Sequence, residues 1–122
     1  MVAKKKKKKD KPLTKKQLKK IARREDKKKL KEWSLAVKER DERKCVVCGE
    51  SHMLNAHHII PKEIKELKFD VNNGISLCPK HHKYSFQFSA HRNGLAFIAW
   101  LQKNREWQYS YLLKYIEQPG LL

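Results

Sequence analysis

Between Thr14 and Asp41 the apolar residues recur three and four positions apart. Leu18, Ile21 and Ala22 share one helical face, and Leu30, Trp33, Ala36 and Val37 continue it, with lysines and arginines between them. This period predicts one long amphipathic helix capped by Thr14, or two helices broken near Glu25-Asp26, ending around Asp41. The apolar stripe reads as core packing. The basic face opposite is free to lie along a phosphate backbone.

Beyond Asp41 the period changes. Leu54 to Ile60 reads as a short strand stopped by Pro61, and Gly74 to Leu77 as a second one after an Asn-Asn-Gly turn. Between them runs a charged connection, residues 61–70, with a helical turn at Glu63–Leu67. A helix is expected to open near Pro79, a residue suited to the first turn, and to run to Phe86 or Phe88. Another covers Leu95 to Lys103, burying Leu95, Phe97, Ile98 and Leu101. Asn104 is the expected cap of a last helix that packs Trp107, Tyr111, Leu112, Tyr115 and Ile116 and stops at Pro119-Gly120. The fold class is therefore α+β: strand, strand and helix, flanked by N-terminal and C-terminal helices, without internal repeat.

Length and charge sharpen this. The 122 residues suffice for one domain with a modest core. A formal charge of +17 makes a polyanion the natural partner, nucleic acid before an anionic membrane surface. Residues 1–44 hold 21 Lys/Arg against 7 Asp/Glu, so most of the excess sits in the first third. Residues 1–13 read as a disordered lysine-rich tail, 14–44 as a basic helical region, 45–91 as the core and 92–122 as a helical region packed on it. The longest apolar run, Gly94 to Leu101, is far short of the ~20 residues of a membrane span. No apolar segment follows the basic N-terminus as in a secretory signal. Three cysteines at metal-type spacing point to a reducing, intracellular and cytoplasmic setting.

The chemistry concentrates in one stretch. Cys45-x-x-Cys48-Gly49 is a knuckle that points two thiols at one ion, and Cys78-x-x-His81 repeats the spacing. Three sulfurs and one nitrogen suit structural zinc held tetrahedrally. The neighbouring pairs His57-His58 and His81-His82 leave histidines over for a second, divalent ion. In a regular strand His57 and His58 face opposite ways, so sharing one site requires the strand to end or twist there. Hydrolysis of a phosphodiester needs a proton acceptor for water and a positive charge at the phosphate and leaving oxygen. A neutral imidazole supplies the first near pH 7.

The strings Cys45-Val-Val-Cys48-Gly, Ala56-His57-His58-Ile59-Ile60-Pro61, Asn73-Gly74-Ile75-Ser76-Leu77-Cys78 and His81-His82 resemble the HNH endonucleases, whose fold is the ββα-metal motif. The likeness covers roughly Trp33 to His91. It implies a DNA endonuclease using one divalent metal (Mg²⁺, Mn²⁺, Ni²⁺ or Zn²⁺) beside structural zinc, and no organic cofactor. The products would be a 5′-phosphate and a 3′-hydroxyl. By the same resemblance His58 is the general base, Asn73 the central asparagine that orients it and braces the loop, and His57 and His82 metal ligands.

This chain departs from the family pattern in two places. The fourth zinc position, a cysteine in the common form, is a histidine here, and the two-residue gap favours His81 over His82. The helix positions that often carry a further histidine hold Ser85 and Phe86. His91 is then a candidate third ligand; its other reading is a histidine at a helix start, contacting phosphate or capping. Lys62, Lys80, Lys83 and Arg92 flank the site as candidate phosphate contacts, with solvated surface charge as the alternative. His52 reads as a surface residue and Asn72 as a plain turn residue.

The resemblance places small proteins of this kind among phage, mobile-element and defence nucleases. Double-stranded DNA is the leading partner. The rival to an enzyme is a non-catalytic, zinc-stapled module that binds DNA or RNA; it gives His57, His58, Asn73 and His82 no task.

Overall fold

The computed structural model describes residues 11–117. The first ten residues of the expected tail, and the expected stop at Pro119-Gly120, lie outside them. Among the described residues no helix is long and apolar enough to cross a membrane.

Helix α1 spans Lys15–Arg40 without a break at Glu25-Asp26. Thr14 and Gln17 cap each other's backbone N–H reciprocally, which satisfies two donors that the first turn leaves unpaired. Only the C-terminal half of α1 packs: Trp33 and Val37 are buried. Leu18 and Ile21, expected in the core, stand out in solvent, with Leu18 52% exposed. Ala22 is exposed too. The helical period was legible, but none of the described residues folds back to cover its first half.

Strands β1, Asn55–His58, and β2, Gly74–Leu77, pair antiparallel in the register His57 opposite Ile75 and His58 opposite Gly74. β1 is shorter than the expected Leu54 to Ile60. One more backbone bond, Ile59 N–H to the Asn73 carbonyl, follows the same register, and the chain then turns aside as Ile60 N–H donates to Asn73 Oδ1. The loop between the strands contains two single turns, Lys65–Leu67 and Val71–Asn73.

The helix expected from Pro79 to Phe86 or Phe88 is only Lys80–Tyr84, wound in wide π-type turns. It closes when Ser85 N–H donates to the Lys80 carbonyl and Ser85 turns extended. Residues 89–91 then fold back, with Ala90 N–H on the His81 carbonyl and His91 N–H on the His82 carbonyl. That return stands in place of the missing helical turns.

Helix α2, Gly94–Asn104, is capped by Asn93, and α3, Glu106–Ile116, follows directly. Asn104 does not cap α3; its amide donates to the Trp100 carbonyl and closes α2. Phe97 and Leu101 are buried as expected. Leu95, in the first turn, is 88% exposed and Trp107 and Tyr111 are also exposed, against expectation. Trp107 instead lies under the guanidinium groups of Arg40 and Arg105, and Tyr111 O–H donates to Asp70.

Two apolar clusters fill the interior. One joins Cys45, Ile75, Leu77, Cys78, Phe97 and Leu101 beneath the knuckle. The other joins Ile60, Leu67, Leu112 and Tyr115 beneath the inter-strand loop. Between α1, α3 and β2 runs a buried polar seam. Asp41 accepts from Arg40, Arg105 and the Ser76 N–H. Burial raises the Asp41 pKa, but the Arg40 and Ser76 hydrogen bonds and the two guanidinium charges outweigh it and hold the carboxyl below its ordinary value.

Candidate active site and metal centres

The knuckle turn, the end of β2 and the wide helix bring Cys45, Cys48, Cys78 and His81 together, with ligand atoms within 4.8 Å of one another. Gly49 takes φ +80°, the left-handed conformation that closes the knuckle. Cys45 Sγ to His81 Nδ1 is 3.7 Å, Cys48 Sγ to Cys78 Sγ 3.7 Å, and Cys78 Sγ to His81 Nδ1 3.2 Å. A tetrahedron with zinc–sulfur and zinc–nitrogen bonds of ordinary length has edges of about 3.8 and 3.6 Å. The donor set therefore fits zinc in type, number and size. Burial opposes ionisation of Cys45, yet the N–H groups of Cys78, Cys48 and Val47 bring its pKa down. For Cys48, burial and its two cysteine neighbours push the thiol up to about 11, against one Glu50 N–H.

A second cluster joins His57, at the end of β1, to His82 on the wide helix and His91 on the returning loop, again with ligand atoms within 4.8 Å. The two Nε2 atoms of His82 and His91 are 3.0 Å apart. His57 meets both rings edge-on and rests on Phe97. Burial, then the nearby histidines, push His57 down to about 3. Burial, His91 and Lys83 push His82 down to about 4. Both are neutral at pH 7, as nitrogen ligands must be, and three imidazoles converging on one side suit a divalent ion with open positions.

His58 belongs to neither cluster. β1 keeps its alternation, so His57 and His58 point to opposite faces, but the strand ends at His58. Both therefore border one open groove of about 410 Å³, together with Lys62, Glu63, His82 and His91. His58 Nε2 lies 2.9 Å from the Lys68 carbonyl. A carbonyl only accepts, so Nε2 carries the proton and Nδ1 keeps its lone pair. Burial lowers the His58 pKa; the Lys68 carbonyl bond opposes this, and the charges of Lys62 and Lys68 add to it.

Asn73 is wholly buried. Its Oδ1 accepts from Ile60 N–H at 2.7 Å, and its Nδ2 donates to the carbonyls of Ile60 and Leu67 at 2.9 and 3.1 Å. All three bonds pin the inter-strand loop that presents the Lys68 carbonyl, and none goes to the His58 ring. Lys62 lines the groove, and Lys83 a neighbouring hollow with Met53, Asn55 and Tyr84. Lys80 is exposed. Arg92 is spent on Phe86, its guanidinium 4.0 Å from the ring centroid. His52 is exposed and belongs to neither cluster.

Residues 45–95 match the family model described as HNH endonuclease. This stretch is thus similar to the HNH endonucleases. It contains both clusters, His58 and Asn73, and supports a nuclease-type function on nucleic acid. No curated protein and no solved structure matches the chain. The HNH segment leaves out α1 and most of α2 and α3, and these supply partners that the sequence did not reveal. Trp33 stacks on His58, while Arg40 and Gln108 donate to carbonyls around Asn73. Trp33 was legible only as a core position. The carbonyl of Lys68 carries no sequence signal at all.

Proposed function

We propose that this protein is an endonuclease that hydrolyses DNA phosphodiester bonds with one divalent ion and His58 as general base. The observation that carries the reading is the state of His58. Its Nε2 proton is engaged by a backbone carbonyl, which leaves Nδ1 unprotonated at the edge of the groove shared with the three-histidine cluster. Nδ1 takes a proton from water as the water oxygen attacks phosphorus. The bond from phosphorus to the 3′ oxygen breaks, and that oxygen leaves with a proton from solvent. The products are a 5′-phosphate and a 3′-hydroxyl.

His57, His82 and His91 would hold the ion (Mg²⁺, Mn²⁺, Ni²⁺ or Zn²⁺). When bound, it supplies positive charge to the scissile phosphate and the leaving oxygen. Cys45, Cys48, Cys78 and His81 would hold structural zinc. Asn73 braces the loop that orients His58. Lys62, Lys80 and Lys83 stand around the groove to hold flanking phosphates, and Arg92 would join them by leaving Phe86. The exposed half of α1, with basic residues on several faces, adds affinity without base readout.

Supercoiled plasmid incubated with Mg²⁺, Mn²⁺, Ni²⁺ or Zn²⁺ tests this beside a His58→Ala variant. Nicking or linearisation by the parent alone is expected, with zinc content and DNA retention equal in both. Retention without cutting in every metal would leave a zinc-stapled nucleic-acid binder instead.

A further inference from the structure

The plane of the His58 ring is set from outside the HNH segment. Trp33, on α1, lies face to face with it: the centroids are 3.8 Å apart and the planes 8° from parallel. We propose that Trp33 is the positioning residue of the general base, so that α1 completes the catalytic centre as well as lending charge. This rests on His58 acting as the base.

A histidine ring turns broadly about its last torsion. One hydrogen bond, from Nε2 to the Lys68 carbonyl, fixes where one corner of the ring sits but lets the ring rock about the N–H···O line. A parallel aromatic face removes that rocking. Together the two contacts fix position, plane and tautomer, which is what a base must have before water arrives.

Trp33 is itself firmly held. It is 5% exposed, and its indole N–H donates to the Asp70 carbonyl at 2.8 Å. Gly74, the cross-strand partner of His58, lets α1 approach closely; a Cβ there would lie 2.7 Å from Trp33 Cζ2 and 2.3 Å from Val37 Cγ2. The hydrogen-bonded side of His58 is tied to α1 as well. Lys68, whose carbonyl receives the His58 proton, pairs through Nζ with Asp26 at 2.7 Å. One helix thus reaches the base by a ring face and, through a side chain, by the loop beneath it. An aliphatic residue at position 33 would keep the site apolar but offer no flat face.

The test uses the full, zinc-loaded chain as parent, Trp33→Phe, Trp33→Leu and His58→Ala, with plasmid cleavage, thermal unfolding and proton NMR of the histidine rings. Trp33→Leu should lower kcat by about 10- to 100-fold with little change in KM. Trp33→Phe, which keeps an aromatic face while losing the indole N–H and one of the two fused rings, should recover most of the rate. In the parent the His58 ring protons should resonate upfield of those of exposed His52, and move downfield in Trp33→Leu. That signature needs only the parent to overturn the proposal: His58 signals at ordinary positions would mean no stack, whether or not the leucine variant folds. A folded Trp33→Leu that cuts at the parental rate, or changes KM alone, also overturns it. His58→Ala cutting as well as the parent would overturn the base assignment, and the positioning role with it.

Discussion

The two ligand clusters lie close together on the wide helix, yet they are built oppositely. The Cys45–Cys48–Cys78–His81 set has four converging donors, with edges of 3.7, 3.7 and 3.2 Å, and ties the knuckle before β1 to the end of β2. Nothing further is left for another ligand to occupy. The His57–His82–His91 set has three donors, opens onto a groove, and includes exposed His91. Adjacent histidines, His81 and His82, serve different clusters because consecutive side chains on a helical turn point in different directions. A full coordination shell suits holding a fold together, and a partial one suits chemistry.

The comparison can be broken most severely at its closed end. Cys78→Ser should abolish zinc retention and leave the chain largely unfolded, because structural zinc in small domains contributes on the order of 10 kcal/mol. Circular dichroism and zinc content would show it. At the open end, His82→Ala should leave zinc content and melting near the parental values while cleavage falls by roughly 10²- to 10⁴-fold or more. If His82→Ala instead unfolds the protein, the distinction between the clusters fails.

The Asp41 seam sharpens the comparison, since it stabilises without any ion. Asp41→Asn strands two guanidinium groups. Removing one partner of a buried pair costs about 3–5 kcal/mol, and the partial exposure of Arg40 and Arg105 argues for the lower end. The sign with pH follows from a folded pKa below the unfolded one. The contribution is full above the unfolded carboxyl value of about 3.9 and is lost as pH falls through the lower folded value. Acid titrations of melting temperature should therefore bring parent and Asp41→Asn together at the lowest pH and separate them above it. The smallest effect is expected far from both clusters. Replacing Lys16, Lys20, Arg23 and Lys27 by Gln should leave melting unchanged and flatten the salt dependence of DNA binding, by about 0.9 in log–log slope for each phosphate no longer neutralised.

How much of this could be read from the chain divides along physical lines. Ligand spacing is local, so the Cys-x-x-Cys and Cys-x-x-His pairs were legible at once. Helix existence was legible too, since period alone reveals it. What covers a helix is not local, and so the period marks Leu18, Ile21 and Leu95 as core positions although the core does not reach them. His91 depended on the chain reversing after Tyr84, a turn set by backbone bonds to the His81 and His82 carbonyls that no side chain announces. The Asp41 seam was equally hidden, because Arg40, Arg105 and Gln108 are ordinary surface types until tertiary structure buries their polar groups.

The turn Val71–Asn73 bears on any attempt to move the proposed activity elsewhere. Its first two carbonyls, with those of Asp70 and Gly74 at either side, are all claimed by visitors: Trp33 takes Asp70, Arg40 takes Val71 and Gly74, and Gln108 takes Asn72 and Gly74. None of those donors lies within residues 45–95. Cut out by itself, the segment would keep every ligand and every residue assigned a chemical step, and lose the scaffold that holds its turn in shape. The portable unit for grafting is therefore longer than the recognisable one, beginning before Trp33 and ending after Leu112.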